Sequence, residues 1–167
     1  MEQRGIMVRR AKPSDTGKIA AFVNQAAQGR LQIDEGAIVA RFGNVGFFLA
    51  ERDGALLGML GWQAENLVVR VTDFLISSIS EREEVGQALL SEMERSAREL
   101  ECEVILLFLP RPTPPSLIQF YQTLEYESQT VAELPKAWLE AAREAGRRDD
   151  ETMMLRKLRE KRVLRPM

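Results

Sequence analysis

Residues Val104 to Leu109 read Val-Ile-Leu-Leu-Phe-Leu, with no polar residue before Pro110 closes the run. A strand that alternates apolar and polar residues keeps one face in water. A strand that is apolar at every step is buried on both faces and belongs inside a parallel or mixed sheet. No hairpin reaches a parallel neighbour; that takes a crossover of about a dozen residues or more, usually a helix. The chain supplies one just upstream, where Val85, Ala88, Leu89, Met93, Ala97 and Leu100 recur at helical spacing. Before that helix, Leu67 to Ile76 reads as a strand. A βαβ unit is therefore expected over residues 67–109, and the remaining elements must be arranged around it.

Ahead of this unit the pattern is a meander. Ile6 to Arg10 alternates apolar and charged residues and predicts a strand. Lys12-Pro13-Ser14-Asp15 is a strand-to-helix turn, and Ile19, Phe22, Val23 and Ala26 follow at helical spacing. A second helical stretch is expected at Asp34 to Arg41, ending at Gly43-Asn44. Phe47 to Glu51 and Leu56 to Gln63 read as strands around an Asp53-Gly54 hairpin turn, with Gly58 and Gly61 marking a bulge or a close backbone approach. Glu65-Asn66 leads into the Leu67 strand, and Ser77 to Glu84 is a polar loop. After Val104–Leu109 come a proline-rich break, a short helix at Ser116 to Leu124 and a strand at Tyr126 to Val131. A helix beginning at Pro135 runs to about Ala145 and stops at Gly146. A last strand, Thr152 to Leu158, precedes a basic tail.

The expected fold is one α/β (α+β) domain over residues 1–167. Its sheet is mixed and mostly antiparallel, of six to seven strands, with a central βαβ crossover and helices on both faces. A helix is inserted at about 134–146, and the basic tail spans about 159–167. The composition suits a soluble globular chain, with 45% hydrophobic and 29% charged residues. No apolar run is long enough for a membrane helix, and no signal peptide is expected, so a cytoplasmic location fits.

Histidine is absent and there is one cysteine. Imidazole-dependent catalysis, histidine-bearing zinc and iron sites, and an intrachain disulfide are thereby excluded, and no metal is expected. The formal net charge of −2 gives no footprint for general nucleic-acid binding. Catalysis must come from Asp, Glu, Lys, Tyr, Ser, the cysteine or backbone groups. Cys102 has no histidine to activate it and reads as a packed side chain.

The informative stretch is Phe74 to Leu90, Phe-Leu-Ile-Ser-Ser-Ile-Ser-Glu-Arg-Glu-Glu-Val-Gly-Gln-Ala-Leu-Leu. A loop feeding backbone N–H groups into a helix start suits an anionic group such as a pyrophosphate. This segment and the element order resemble the GNAT superfamily of acyl-CoA-dependent N-acyltransferases, in which a strand, a loop and Arg/Gln-x-x-Gly-x-Gly/Ala precede an apolar helix. Helix phase puts Gly86 on the motif's last glycine and Val85 just before it. Phe120-Tyr121-Gln122-Thr123-Leu124-Glu125-Tyr126 resembles the family's Phe-Tyr-x-x-x-Gly-Phe, and Met154 to Leu158 resembles its closing strand. Glu81 stands where the family has Arg or Gln, Glu84 where it has the first glycine, Ser78 where it has proline, Pro114 where Asn is common, and Glu125 where glycine is common.

The resemblance implies acetyl-CoA, or another acyl-CoA, as co-substrate, contacted by Ile76, Ser77, Ser78, Glu84, Val85, Gly86 and Gln87. It implies direct attack of an amine on the thioester, with Asp73 as the base, Tyr121 as the acid for the leaving thiolate, and backbone N–H near Ile76 holding the carbonyl. The acceptor is a primary amine of a small molecule or a protein, and a homodimer is the default expectation. Other readings stay open at this level. Asp73 could be a strand-end carboxylate paired with an arginine such as Arg70, Tyr121 a half-buried aromatic, and Gly86 a packing glycine. Glu81, Glu83 and Glu84 repel a pyrophosphate, but they also suit the positive end of a helix dipole. The alternative to the enzyme is a degenerate module of the same fold that binds a partner or acyl-CoA without turnover. The Leu134 to Ala145 helix is expected to border the acceptor or a dimer interface, with Trp138 as its anchor.

Overall fold

The structure, a computed structural model, describes residues 5–26, 46–65, 67–77, 79–109 and 113–158. The helix expected at Asp34 to Arg41 and the basic tail at 159–167 lie outside them. The strands are β1 (Met7–Arg10), β2 (Gly46–Arg52), β3 (Ala55–Glu65), β4 (Val68–Ile76), β5 (Val104–Phe108), β6 (Glu127–Thr130) and β7 (Thr152–Lys157). The helices are α1 (Thr16–Ala26), α2 (Arg82–Glu99), α3 (Pro115–Thr123) and α4 (Lys136–Glu144). Among the described residues the strands hydrogen-bond in the order β1-β2-β3-β4-β5-β7-β6. β4 and β5 pair in parallel from Val68↔Val104 to Val71↔Leu107, the βαβ unit read from the sequence. The β1–β2, β2–β3, β5–β7 and β6–β7 pairs are antiparallel.

The chain divides into two compact units, Met1–Gln63 with Thr72–Met93, and Ala64–Val71 with Glu94–Met167. In the first unit α1 buries Ile19, Ala20, Phe22 and Val23 against Phe47, Leu49 and Met59. The β2–β3 hairpin turns at Asp53 and Gly54, both at positive φ, as a two-residue type I′ turn requires. Its register shifts at Ala50↔Gly58 and Glu51↔Leu56, so Leu57 has no partner on β2. The carbonyl freed by this bulge accepts the N–H of Ser77 at 2.9 Å. Gly58 is a close approach as well. A Cβ there would stand 2.7 Å from Val85 Cγ1 and 3.1 Å from both the Leu75 carbonyl oxygen and Leu89 Cδ1. The helix carrying Val85 can lie this near the strand only over glycine.

An ion cluster closes the β1–α1 corner. Arg9 grips Asp15 with Nη1 and Nη2 at 2.8 and 2.9 Å and donates from Nε to Glu51 at 2.6 Å. Lys18 also donates to Glu51. The guanidinium bonds hold the Asp15 carboxyl at a pKa of about 2 and push that of Glu51 down. A carboxylate whose folded pKa is depressed binds fewer protons when native. Its stabilisation is therefore full above the unfolded pKa of about 4 and is lost as pH falls towards about 2. Asp15→Asn is expected to lower stability by about 1–2 kcal/mol at pH 7. The gap to wild type should close as pH drops from about 4 to about 2, and urea midpoints measured against pH check it.

In the second unit Val104, Leu106, Met153, Leu155 and Val68 form a sheet face covered by Val131, Leu134, Trp138 and Ala142. Trp138 is thus anchored in its own chain's core, and its burial needs no second copy. Arg70 ties the same helix to β4, donating from Nη1 to the Ala141 carbonyl at 3.2 Å, with Glu65 at 3.6 Å and Glu144 at 4.0 Å.

Several sequence-predicted boundaries move for local reasons. β4 starts at Val68 because Leu67 sits at φ 66, outside the extended region. α2 starts at Arg82 after a 3₁₀ turn at Ile79–Glu81, so the polar loop is shorter than expected and Glu83 and Glu84 are in the helix's first turn. Pro135 is the N-cap of α4, not its first residue. Leu100, expected on the apolar face of α2, lies past its end and is 54% exposed.

The helix ends explain the glycine replaced at Glu125. The Tyr126 N–H reaches the Tyr121 carbonyl and the Glu125 N–H the Gln122 carbonyl, both at 3.0 Å, which is the Schellman pattern. Its left-handed position is Glu125, at φ 72. Glu125→Gly is expected to stabilise the fold by about 0.5–1 kcal/mol, since a side chain in that region costs about 1 kcal/mol. The ion pair it gives up with Arg156 has a Glu125 side chain that is 78% exposed and offsets little. Thermal midpoints of the two proteins check the sign.

Candidate active site

In the first unit β4 ends at Ile76 and the chain passes Ser77 and the 3₁₀ turn into α2. Ile76, Ser77, Glu84, Val85, Gly86 and Gln87, all expected at the cofactor, fall together on this strand end and helix start. Ser78 and the side chain of Asp73 lie outside the described residues; Asp73 itself is within β4. The N–H of Ser77 is already bonded to the Leu57 carbonyl and so is not open to a ligand. Val85 is fully buried, its side chain packing towards Gly58. Gly86 is buried and Gln87 exposed.

Because the 3₁₀ turn at Ile79–Glu81 runs into α2 and takes up the N–H of Arg82, the first-turn groups that the α-helical ladder does not reach are those of Glu83 and Glu84. Those of Val85, Gly86 and Gln87 lie one turn further in, within the helix's own ladder. Any anion bound at this end is met by the first-turn amides and the helix dipole.

The acids at this end are not bare. Arg52, the last residue of β2, lies 3.5 Å from Glu81 Oε2 through Nη1 and 3.0 Å from Glu84 Oε1 through Nη2. One guanidinium thus offsets part of two carboxylates. Nothing local in the sequence links Arg52 to residues about thirty positions on.

Tyr121 belongs to the second unit, on the last turn of α3, and is 5% exposed. Its ring packs at 55° against Phe120, 5.3 Å between centroids, and against Tyr126, 6.1 Å between centroids. Beside it the Tyr126 hydroxyl donates to Glu94 at 2.9 Å, and Arg156 donates to the same Glu94 oxygen at 2.8 Å and to Glu125 at 2.9 Å. Burial, then the Glu94 charge, pushes the Tyr126 phenol far above its usual range. The sequence carried one sign of this network: Glu94 stands on the buried stripe of α2, four residues from Leu90 and three from Ala97. Among the described residues no three His, Cys, Asp or Glu side chains are placed to share a metal ion, and no helix is long and apolar enough to cross a membrane.

The fold is shared with solved acetyltransferases. The chain is similar to an acetyltransferase of the GNAT family from Staphylococcus aureus Mu50, with TM-score 0.70 and 16% identity over 93% of this chain and 100% of that one. It is similar to the ribosomal-protein-S18-alanine N-acetyltransferase from Escherichia coli, with TM-score 0.70 and 13% identity over 97% and 99% of the two chains. It is also similar to a phosphinothricin acetyltransferase from Sinorhizobium meliloti in complex with acetyl-CoA, with TM-score 0.69 and 21% identity over 97% and 93%. At such identities the likeness is one of fold. No curated protein matches the sequence. The model of the acetyltransferase (GNAT) family matches residues 15–126, and the chain belongs to that family. Its class of activity is acyl-CoA-dependent acetyl transfer.

Proposed function

We propose that this protein transfers the acetyl group of acetyl-CoA to a primary amine of a small molecule or protein by direct attack. The observation that carries the reading is the extent of the family match, which runs from Asp15 to Tyr126 and so includes Asp73, the α2 loop and Tyr121. The pyrophosphate is held at the start of α2 by the unpaired first-turn amides, while Ile76 and the loop residues line the pantetheine side.

The chemistry follows from the groups assigned. An ordinary amine has a pKa of about 10.4 and must shed a proton to attack. Its nitrogen forms a bond to the thioester carbon, and the carbonyl electron pair moves to oxygen, stabilised by a backbone N–H near Ile76. Asp73 takes the proton from the attacking nitrogen. The tetrahedral intermediate collapses, the C–S bond breaks with its pair on sulfur, and the Tyr121 hydroxyl protonates the thiolate. A proton returning through solvent from Asp73 to Tyr121 restores both groups.

The acids at the helix start favour the second reading, a binding module without turnover. Arg52 partly answers them. Glu81→Arg with Glu84→Gly is expected to tighten CoA binding by about tenfold to a hundredfold, with a gain that shrinks as salt is added. Titration calorimetry at two salt concentrations checks it. Turnover itself is tested by thiol release from acetyl-CoA with spermidine, lysine and a peptide bearing an N-terminal alanine. Release above the water rate with one of them supports the enzyme. CoA binding with no release from any acceptor supports the module.

A further inference from the structure

The second unit buries a carboxylate and a phenol that the proposed chemistry does not use. Glu94 is 6% exposed and Tyr126 2%. A buried carboxylate is tolerated when it is paired and hydrogen-bonded, and here Arg156 and the Tyr126 hydroxyl meet the same oxygen at 2.8 and 2.9 Å. A phenylalanine would fill the same volume without a polar group to satisfy. What the hydroxyl adds is a fixed far end for the ring, which is held at one position between α2 and β7.

That ring is also the neighbour of Tyr121. The Tyr126 N–H donates to the Tyr121 carbonyl at 3.0 Å, and the two rings lie 6.1 Å apart at 55°. Tyr126 therefore touches Tyr121 through both backbone and side chain, while its own hydroxyl is tied to Glu94 and, through it, to Arg156. We infer that Tyr126, anchored by Glu94 and Arg156, is a positioning residue that sets where the Tyr121 hydroxyl stands during acetyl transfer. This rests on the reading of Tyr121 as the acid that protonates the leaving thiolate.

The test is a double-mutant cycle on thiol release from acetyl-CoA, with spermidine, an alanyl peptide and water as acceptors. Tyr126→Phe keeps the ring and the backbone bond and removes only the anchor. Reacting groups displaced by about 1 Å lose on the order of a hundredfold in rate, so a looser ring predicts a kcat lowered about tenfold with KM for acetyl-CoA unchanged. Glu94→Gln still accepts the phenol's hydrogen bond and should stay closer to wild type than Tyr126→Phe. In a Tyr121→Phe background, Tyr126→Phe should cost nothing further, because it acts through Tyr121. Thermal unfolding confirms that each variant is folded. A Tyr126→Phe protein with wild-type kcat, or losses that multiply in the double variant, would overturn the inference and leave the acid role of Tyr121 standing. An unimpaired Tyr121→Phe protein, or no release by wild type with any acceptor, would overturn both.

Discussion

Replacing Tyr121 by phenylalanine is expected to lower kcat by about a hundredfold or more while leaving KM for acetyl-CoA close to wild type. In the proposed mechanism the departing thiolate loses its proton donor, and general acid catalysis contributes roughly 10²–10⁴-fold. The ring contacts with Phe120 and Tyr126 survive, because phenylalanine fills the same space at a position only 5% exposed. Removing one hydroxyl costs the fold about 1 kcal/mol. Loss of rate without loss of structure is therefore the expected pattern. Initial-rate kinetics with thiol detection, paired with a thermal melt of the same sample, separates the two.

The second large effect concerns stability. Trp138→Ala removes an indole that is 7% exposed and packed among Val68, Val104, Leu106 and Leu155. Truncating a buried aromatic to alanine costs about 3–5 kcal/mol. That is a large part of the roughly 5–15 kcal/mol by which a domain is stable. The urea midpoint is expected to fall steeply. Trp138→Phe, which keeps most of the volume, should fall much less. A small shift for Trp138→Ala would show that α4 adds little to the second unit's core.

Much of the fold was legible because it is written in periodicity. The all-apolar run at Val104 required a buried strand, and the spacing of Val85, Leu89 and Met93 required the helix before it; β5 does pair in parallel with β4. The Asp53-Gly54 hairpin was equally local, since both residues adopt the positive φ their types tolerate. Boundaries were less legible where one residue's backbone decides them, as at Leu67 and Arg82. Trp138 does anchor its helix, but in the core of the second unit, because a sequence shows that an aromatic must be buried and not by what.

The site divides in the same way. Gly86 and Tyr121 could be singled out from short patterns that a family resemblance made readable. Arg52 beside Glu81 and Glu84, and Arg156 and Tyr126 around Glu94, could not. Those partners lie on different elements, between 29 and 62 positions apart, and only the folded chain brings them together. The acidic motif therefore reads in the sequence without its counter-charge, which comes from the end of another strand.

We propose that this chain, for all its acidic residues, takes an acyl-CoA at the start of α2. Calorimetric titration of acetyl-CoA into the folded 167-residue protein tests it most directly. Saturable heat for one site per chain is expected, weakened by added salt and strengthened by Glu81→Arg with Glu84→Gly. No heat, together with no rise in the thermal midpoint at millimolar acetyl-CoA for either protein, would contradict it.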